Sequence, residues 1–249
     1  MYDLMKVDDI TWCYQAVMPD GDSVRFFVLN ADDKCLVIDS GYMEIDVKGM
    51  VRELLRSEGV DKRADGTEKE ILLANTHGDM DHTGGNASFD SFYLTQTDYD
   101  NCAVGGRCPN SKLIPVEDGT RIDLGGRTLK YYLAPGHTYG NTVILDETNR
   151  ILFPGDMVQT GTMFMFGSHR CPDKLEESLL MLIDHKNEFD RIYACHGQTV
   201  LDPDAVDKTL AAWRKVLNKE VIPVRKNVFD TDVDMYSCGF CNFFANIEN

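Results

Sequence analysis

No stretch of the chain approaches the roughly 20 consecutive apolar residues that a membrane-spanning helix needs. The opening MYDLMKVDDITWCYQ also lacks a basic segment followed by an apolar one. Both absences point away from membranes and export, so a soluble, cytoplasmic protein is expected. Basic side chains are scarce, with 25 Lys and Arg against 41 Asp and Glu and a formal charge of -16. That sign opposes a phosphate backbone, so nucleic acid is not an expected partner. Pro/Ser-rich linkers, long charge runs, low-complexity tracts and internal repeats are missing as well. A single domain over 1–249 follows, with 220–249 as a C-terminal extension. The eight cysteines are scattered, and with no export signal they read as reduced thiols, not as a disulfide framework.

What is present is a change of period along the chain. Residues 10–16, 24–30 and 34–38 are rich in β-branched and aromatic side chains and read as strands. Val47, Met50, Val51, Leu54 and Leu55 then recur at helical spacing, and Gly59 ends that helix. The short apolar run in 70–75 suits a buried strand. Strands are next expected over 120–124 and 127–133, joined at the tight-turn pair Gly125-Gly126, and over 142–146 and 150–153. A helix opening after Pro172-Asp173, a strand over 191–195 and a helix carrying Val206, Leu210, Trp213 and Leu217 complete the pattern. Two β-rich blocks, each followed by helices, predict an α/β protein of the four-layer αββα sandwich type.

The histidines mark the chemistry. His77, His82, His137 and His196 each fall just after an expected strand, in a glycine-containing turn. In Thr76-His77-Gly78-Asp79-Met80-Asp81-His82-Thr83 four candidate ligands lie within six residues. Extended backbone would point 77, 79 and 81 to one side, and a turn at 81–82 would bring His82 round beside them. That arrangement can hold two metal ions close together. Taken singly, each His would read as a satisfied surface or core residue and each Asp as a helix cap. Clustered carboxylates, in contrast, repel and resist burial unless a cation neutralises them.

In their order along the chain these turns resemble the metallo-β-lactamase superfamily of metal-dependent hydrolases. His77-x-Asp79-x-Asp81-His82 resembles the family's His-x-His-x-Asp-His signature with one substitution. Pro135-Gly136-His137-Thr138 is similar to its second His turn, Phe153-Pro154-Gly155-Asp156 to its bridging-Asp turn, and Ala194-Cys195-His196-Gly197 to its terminal His. Asp39-Ser40-Gly41 is similar to the Asp-x-Gly that supports the site from behind. The resemblance implies the metallo-β-lactamase-like fold and two divalent metal ions, zinc first, with iron or manganese as alternatives. His77, Asp79 and His137 would hold one ion and Asp81, His82 and His196 the other, with Asp156 bridging. It implies hydrolysis of a small molecule by a metal-bound hydroxide that Asp81 helps to orient, since a water shared by two ions ionises near neutrality.

Position 79 departs from the family pattern, holding Asp in place of His. Two divalent ions, three carboxylates and one hydroxide then sum to zero, where His would leave +1. A weaker Lewis acid and a first position more hospitable to iron or manganese are expected. A thioester, ester, lactone or amide is the favoured substrate and a phosphoester the lesser one. The alternatives are a di-iron redox protein of the flavodiiron type or a metal-binding module without turnover. The helical glutathione-binding extension of glyoxalase II-like thioesterases is not visible.

His169 could reach over the metals as a second catalytic residue, a proton donor or substrate contact, or it could be a surface-loop histidine. Met163, Phe164, Met165 and Phe166 could line a substrate pocket or pack in the core. Tyr139 has similar standing, and His185 suits a helix C-terminus. Cys238-Gly-Phe-Cys241 has the spacing of a thiol redox pair or of half a zinc site, with Cys102, Cys108 and Cys171 as further thiols. Phe240, Phe243 and Phe244 suit packing onto the body or onto a second copy in a homo-oligomer.

Overall fold

The computed structural model describes residues 1–19, 21–104 and 111–247; Cys108, Glu248 and Asn249 lie outside the described residues. The chain opens with an antiparallel meander: β1 (Asp3–Asp8), β2 (Thr11–Val17), β3 (Ser23–Asn30) and β4 (Lys34–Ile38). Helix α1 (Val47–Ser57) follows. Asp46 caps it by accepting from Gly49 N at 2.8 Å, and Gly59, at φ +69°, turns the chain away past its end. The helix returns the chain so that β5 (Glu70–Ala74) runs parallel to β4, a geometry that needs a crossover. A single helical turn α2 (Met80–Thr83), β6 (Ser91–Leu94), α3 (Gln96–Val104) and β7 (Lys112–Pro115) complete a seven-stranded sheet in chain order.

The second block starts with β8 (Arg121–Asp123) and β9 (Thr128–Leu133). Gly125 and Gly126, at φ +81° and +72°, make the turn between them, a backbone path that side-chained residues rarely take. Then come β10 (Thr142–Asp146), β11 (Ile151–Phe153), β12 (Thr162–Met165), α4 (Pro172–Asp184), β13 (Arg191–Tyr193), β14 (Val200–Leu201) and α5 (Ala205–Leu217). The second sheet has the order β14-β13-β11-β10-β9-β8.

Strand alternation explains the layers. Phe26 and Val28 of β3, with Cys35 and Val37 of β4, turn to α1 and meet Val47, Val51, Leu54 and Leu55. Phe27, Leu29, Leu36 and Ile38, one residue out of step, meet Leu129, Tyr131, Ile144 and Phe153 of the second sheet. The outer face of that sheet buries Val143, Leu145 and Leu152 against Leu175 and Leu179 of α4 and Val206, Leu210 and Trp213 of α5. Helices therefore cover both outer faces of two stacked sheets, which is the expected αββα sandwich.

The segment 220–249 adds β15 (Val224–Val228), β16 (Thr231–Ser237) and β17 (Asn242–Ala245), and β17 pairs in parallel with β12. Phe243 is fully buried, its ring 5.0 Å from that of Trp213, so the tail packs onto the body. Alternation on β12 separates the residues read together from the sequence. Met163 and Met165 enter the core, while Phe164 joins Phe166, Phe229 and Phe244 on the other face. Among the described residues no helix is long and apolar enough to cross a membrane.

Candidate metal centre

The segments that follow or join the strands, the short helix α2 among them, carry every candidate ligand. Asp39 follows β4 and His77 follows β5, while His137 lies between β9 and β10, Asp156 beyond β11 and His196 beyond β13. The segment after β5 bends at Thr76 and His77, is extended at Asp79 and then coils into α2, so a helical turn, not the expected bend at 81–82, brings His82 back beside His77 with ring centroids 4.0 Å apart. Gly155, at φ +53°, passes so close to β5 that a Cβ there would stand 2.6 Å from Thr76 Oγ1.

The seven side chains converge as two sets that share Asp156. Asp156 Oδ1 lies 3.2 Å from His82 Nε2 and 3.3 Å from His196 Nε2. Asp156 Oδ2 lies 3.5 Å from His137 Nε2. Asp81 Oδ2 is 3.4 Å from His196 Nε2 and 3.7 Å from His82 Nε2, and those two imidazole nitrogens are 3.4 Å apart. In the other set, Asp79 Oδ2 is 3.1 Å from His137 Nε2 and 3.7 Å from His77 Nε2. Ligand atoms about 2.0–2.1 Å from a tetrahedral zinc stand about 3.4 Å apart, so both sets have the spacing of metal cages. His77 Nε2 is fully buried and has no hydrogen-bond partner among the described residues, an orphan that a cation would satisfy.

The imidazole of His82 is oriented from behind. Asp39 Oδ2 lies 2.8 Å from His82 Nδ1, and the same carboxylate accepts from Thr76 N and Oγ1. A partner on Nδ1 leaves Nε2 to face the centre. Burial opposes charge on His82 and His196, yet Asp81 and Asp156 override it and hold His196 at about 10 and His82 well above its ordinary value. Burial would likewise raise Asp156, but His196, His82 and His137 keep it well below the ordinary carboxylate range.

Four contributors escaped the sequence reading. Arg170 reaches Asp79 with both arms of its guanidinium, Nη1 to Oδ1 at 3.0 Å and Nη2 to Oδ2 at 2.5 Å. This changes the charge count: one cation is supplied by the chain itself, so a centre holding two divalent ions and a hydroxide would come to +1. A carboxylate placed where an imidazole was expected, in a chain with few cations, was the available signal that a basic residue must answer it. Asp98, buried in α3, accepts from Gly78 N, Thr138 Oγ1 and Gly140 N at 2.7–2.9 Å and so ties the His77 loop to the His137 loop. Cys195 Sγ donates to Gly155 O and to Asp156 Oδ1 at 3.0 and 3.1 Å.

Arg25 is the fourth, a buried cation in the apolar run of β3. It donates to Gly197 O at 2.6 Å and to the carbonyls of Ala194 and Cys195 at 3.5 Å, which fixes the loop carrying His196. Arg25→Lys replaces a fork with a point donor, so at least one buried carbonyl loses its partner. A stability loss of about 2 kcal/mol in urea denaturation is expected, together with roughly 10- to 100-fold weaker metal binding. An unchanged metal affinity would show that the loop holds its shape without the guanidinium.

The other sequence candidates are not part of the buried groups of ligating side chains. His169 is exposed, its backbone carbonyl accepting from Tyr139 N at 3.2 Å, and Tyr139 is exposed too. His185 closes α4 and lies 2.7 Å from Glu188 Oε1. Cys238 and Cys241 are buried at the turn between β16 and β17, and burial pushes the Cys241 thiol up to about 12, the wrong direction for a reactive thiolate. Among the described residues, clusters of three or more ligating side chains occur only at the histidine centre, which leaves that pair without the further ligands of a zinc site.

A family model described as the metallo-β-lactamase superfamily matches residues 109–221. The human acyl-coenzyme A thioesterase MBLAC2 is 24% identical over 187 residues, 63% of this chain and 66% of that protein. A hydroxyacylglutathione hydrolase of Crocosphaera subtropica is 30% identical over 169 residues, 64% of this chain and 63% of that protein. The match thus spans just under two thirds of the length of either relative. Among solved structures, a metallo-β-lactamase from Pontibacter korlensis superposes with a TM-score of 0.72 at 15% identity, covering 86% of this chain and 99% of its own. The FIM-1 metallo-β-lactamase of Pseudomonas aeruginosa, solved in a mono-zinc form, gives 0.69 at 15% identity, covering 86% of this chain and 96% of its own.

Proposed function

Because the chain belongs to the metallo-β-lactamase superfamily, we propose that it is a metal-dependent hydrolase of small acyl compounds, with thioesters as the preferred class. The observation that carries this reading is Asp156, whose two oxygens face two separate imidazole sets at ligand-to-ligand spacing. His77, Asp79 and His137 would hold one divalent ion and Asp81, His82 and His196 a second, zinc before manganese or iron, with Asp156 shared. Bound there, the ions would lower the pKa of a coordinated water and polarise the substrate carbonyl.

The chain's own residues supply the rest. Asp81, whose Oδ2 lies 3.4 Å from His196 Nε2 and 3.7 Å from His82 Nε2, would hold the attacking water and take up its proton. Asp39 keeps His82 from rotating, and Asp98 keeps the two ligand loops in register, so the geometry is set before substrate arrives. A thiolate can leave without prior protonation, whereas an amide nitrogen must gain a proton as it departs. A thioester therefore asks for no proton donor to its leaving group. Acyl-coenzyme A and acyl-glutathione are both thioesters, in keeping with the names of the two relatives.

The purified protein should hydrolyse acyl-coenzyme A or acyl-glutathione faster than a lactone, a β-lactam or a phosphodiester. It should lose that activity to a chelator and regain it with zinc or manganese. Turnover confined to the phosphodiester would overturn the substrate class, and turnover unaffected by chelation would overturn the metal.

A further inference from the structure

Asp79 serves two masters. On one side its Oδ2 faces His137 and His77 at 3.1 and 3.7 Å, as a ligand of the first ion position would. On the other, Arg170 grips both oxygens in a bidentate pair whose two side chains are only 13% and 15% exposed. An ion pair this sheltered keeps its strength, and the planar fork leaves neither oxygen free of the guanidinium. Asp81, the corresponding carboxylate of the second position, faces the imidazoles of His82 and His196, and among the described residues no guanidinium bonds to it.

We infer that Arg170 makes the two ion positions unequal. The second, Asp81 with His82, His196 and Asp156, binds its ion tightly, whereas the first, His77, Asp79 and His137, is a weak, exchangeable position. A divalent ion entering the first position must share Asp79 with a fixed positive charge that repels it at close range, and the oxygen it meets has already given part of its donor strength to Arg170. A neutral hydrogen-bond donor behind a ligating carboxylate orients it and strengthens the site. A cation in that place orients it at a cost in affinity. The departure at position 79 and the presence of Arg170 are thus one device, in which a protein-borne charge stands in part for an ion. This inference rests on the reading that the histidine centre binds divalent cations.

The test is a calorimetric titration of the chelator-stripped full chain with zinc, with bound metal counted by elemental analysis after gel filtration. Wild type should take up one equivalent tightly and a second at least about tenfold more weakly. Arg170→Gln keeps a donor and removes the charge; the second equivalent should tighten by about tenfold or more while the first stays unchanged. Arg170→Lys keeps the charge without the fork and should titrate like wild type, which covers the case in which the Gln variant folds poorly by circular dichroism. Two equivalents of equal affinity in wild type, or a second equivalent that weakens in Arg170→Gln, would overturn the inference while leaving the metal reading intact. A stripped wild type that takes up no zinc would instead remove the metal reading, and this inference with it.

Discussion

Asp156→Asn is expected to strip the centre of metal and to lower kcat/KM on the best thioester by about a thousandfold or more, because an unassisted water supplies almost no hydroxide at neutral pH. The amide has the shape of the carboxylate, so the loop beyond β11 can keep its path and the circular dichroism spectrum should be unchanged. What changes is charge. Asp156 sets a carboxylate oxygen against each imidazole set, with Oδ1 near His82 and His196 and Oδ2 near His137. An amide can present only one acceptor atom, and its NH2 would point a donor at one of the two cages. Elemental analysis of the variant beside wild type is the direct check, and a variant that retained both metal and turnover would remove Asp156 from the centre. Cys195→Ser offers the contrast. The thiol donates to Asp156 Oδ1 and Gly155 O and lies within 4.8 Å of the ligating atoms of His82 and His196, and a hydroxyl can make the same two hydrogen bonds, so a loss of about tenfold or less is expected, smaller than that of deleting a ligand-orienting group outright.

The ease with which the sequence announced this centre has a physical reason. His77, His82, His137 and His196 are polar residues that follow apolar strands, and burying them there has no structural justification without a ligand, so their placement stands out against the pattern. The strands of the sandwich interior were legible for the same kind of reason: Phe26 to Leu29 and Leu36 to Ile38 are buried on both faces and read as unbroken apolar runs. β15 is the opposite case. Val-Arg-Lys-Asn-Val is almost wholly exposed, its pairing with β16 comes from backbone hydrogen bonds, and no periodicity betrays it. Met163 to Phe166 stood out as an apolar run but not as the strand β12, because its partner β17 lies 80 residues further along the chain. Arg170 was hidden by the same distance. Its pairing with Asp79 spans 91 residues, and only the fold brings that loop back over the cluster. The reading came within one residue of it at His169, the neighbour whose side chain faces solvent. Asp98 carried no signal at all, since a single Asp near a helix start reads as a cap.

Metal uptake should be strongly pH-dependent, and its sign follows from the imidazoles. In the metal-free chain His196 titrates at about 10 and His82 well above its ordinary 6.5, because Asp81 and Asp156 overcome the effect of burial. Both are therefore cationic at pH 7, and an ion entering their set must expel their protons. Apparent affinity should rise by up to about two decades per pH unit between pH 6 and 8, one for each displaced proton. Calorimetry in buffers of differing ionisation enthalpy counts those protons directly; about two are expected at pH 7, and none would show that the imidazoles were already neutral. The same shifts govern the stability of the metal-free fold. A group whose folded pKa is raised contributes stability that is fully present below its unfolded value, near 6.5 for histidine, and is lost as pH climbs toward the folded value of about 10. Asp79 and Asp156, held well below the ordinary 3.8, contribute stability above that value that is lost only as pH falls through their folded pKa. The stripped protein should accordingly be most stable between about pH 4 and 6.5 and should weaken toward pH 9. There the ions do the work that protons do at lower pH, holding the carboxylates and imidazoles together without mutual repulsion. The fall in Tm on chelation should thus be larger at pH 9 than at pH 6, and a fall of equal size at both would mean that protons and metal do not compete for the same nitrogens.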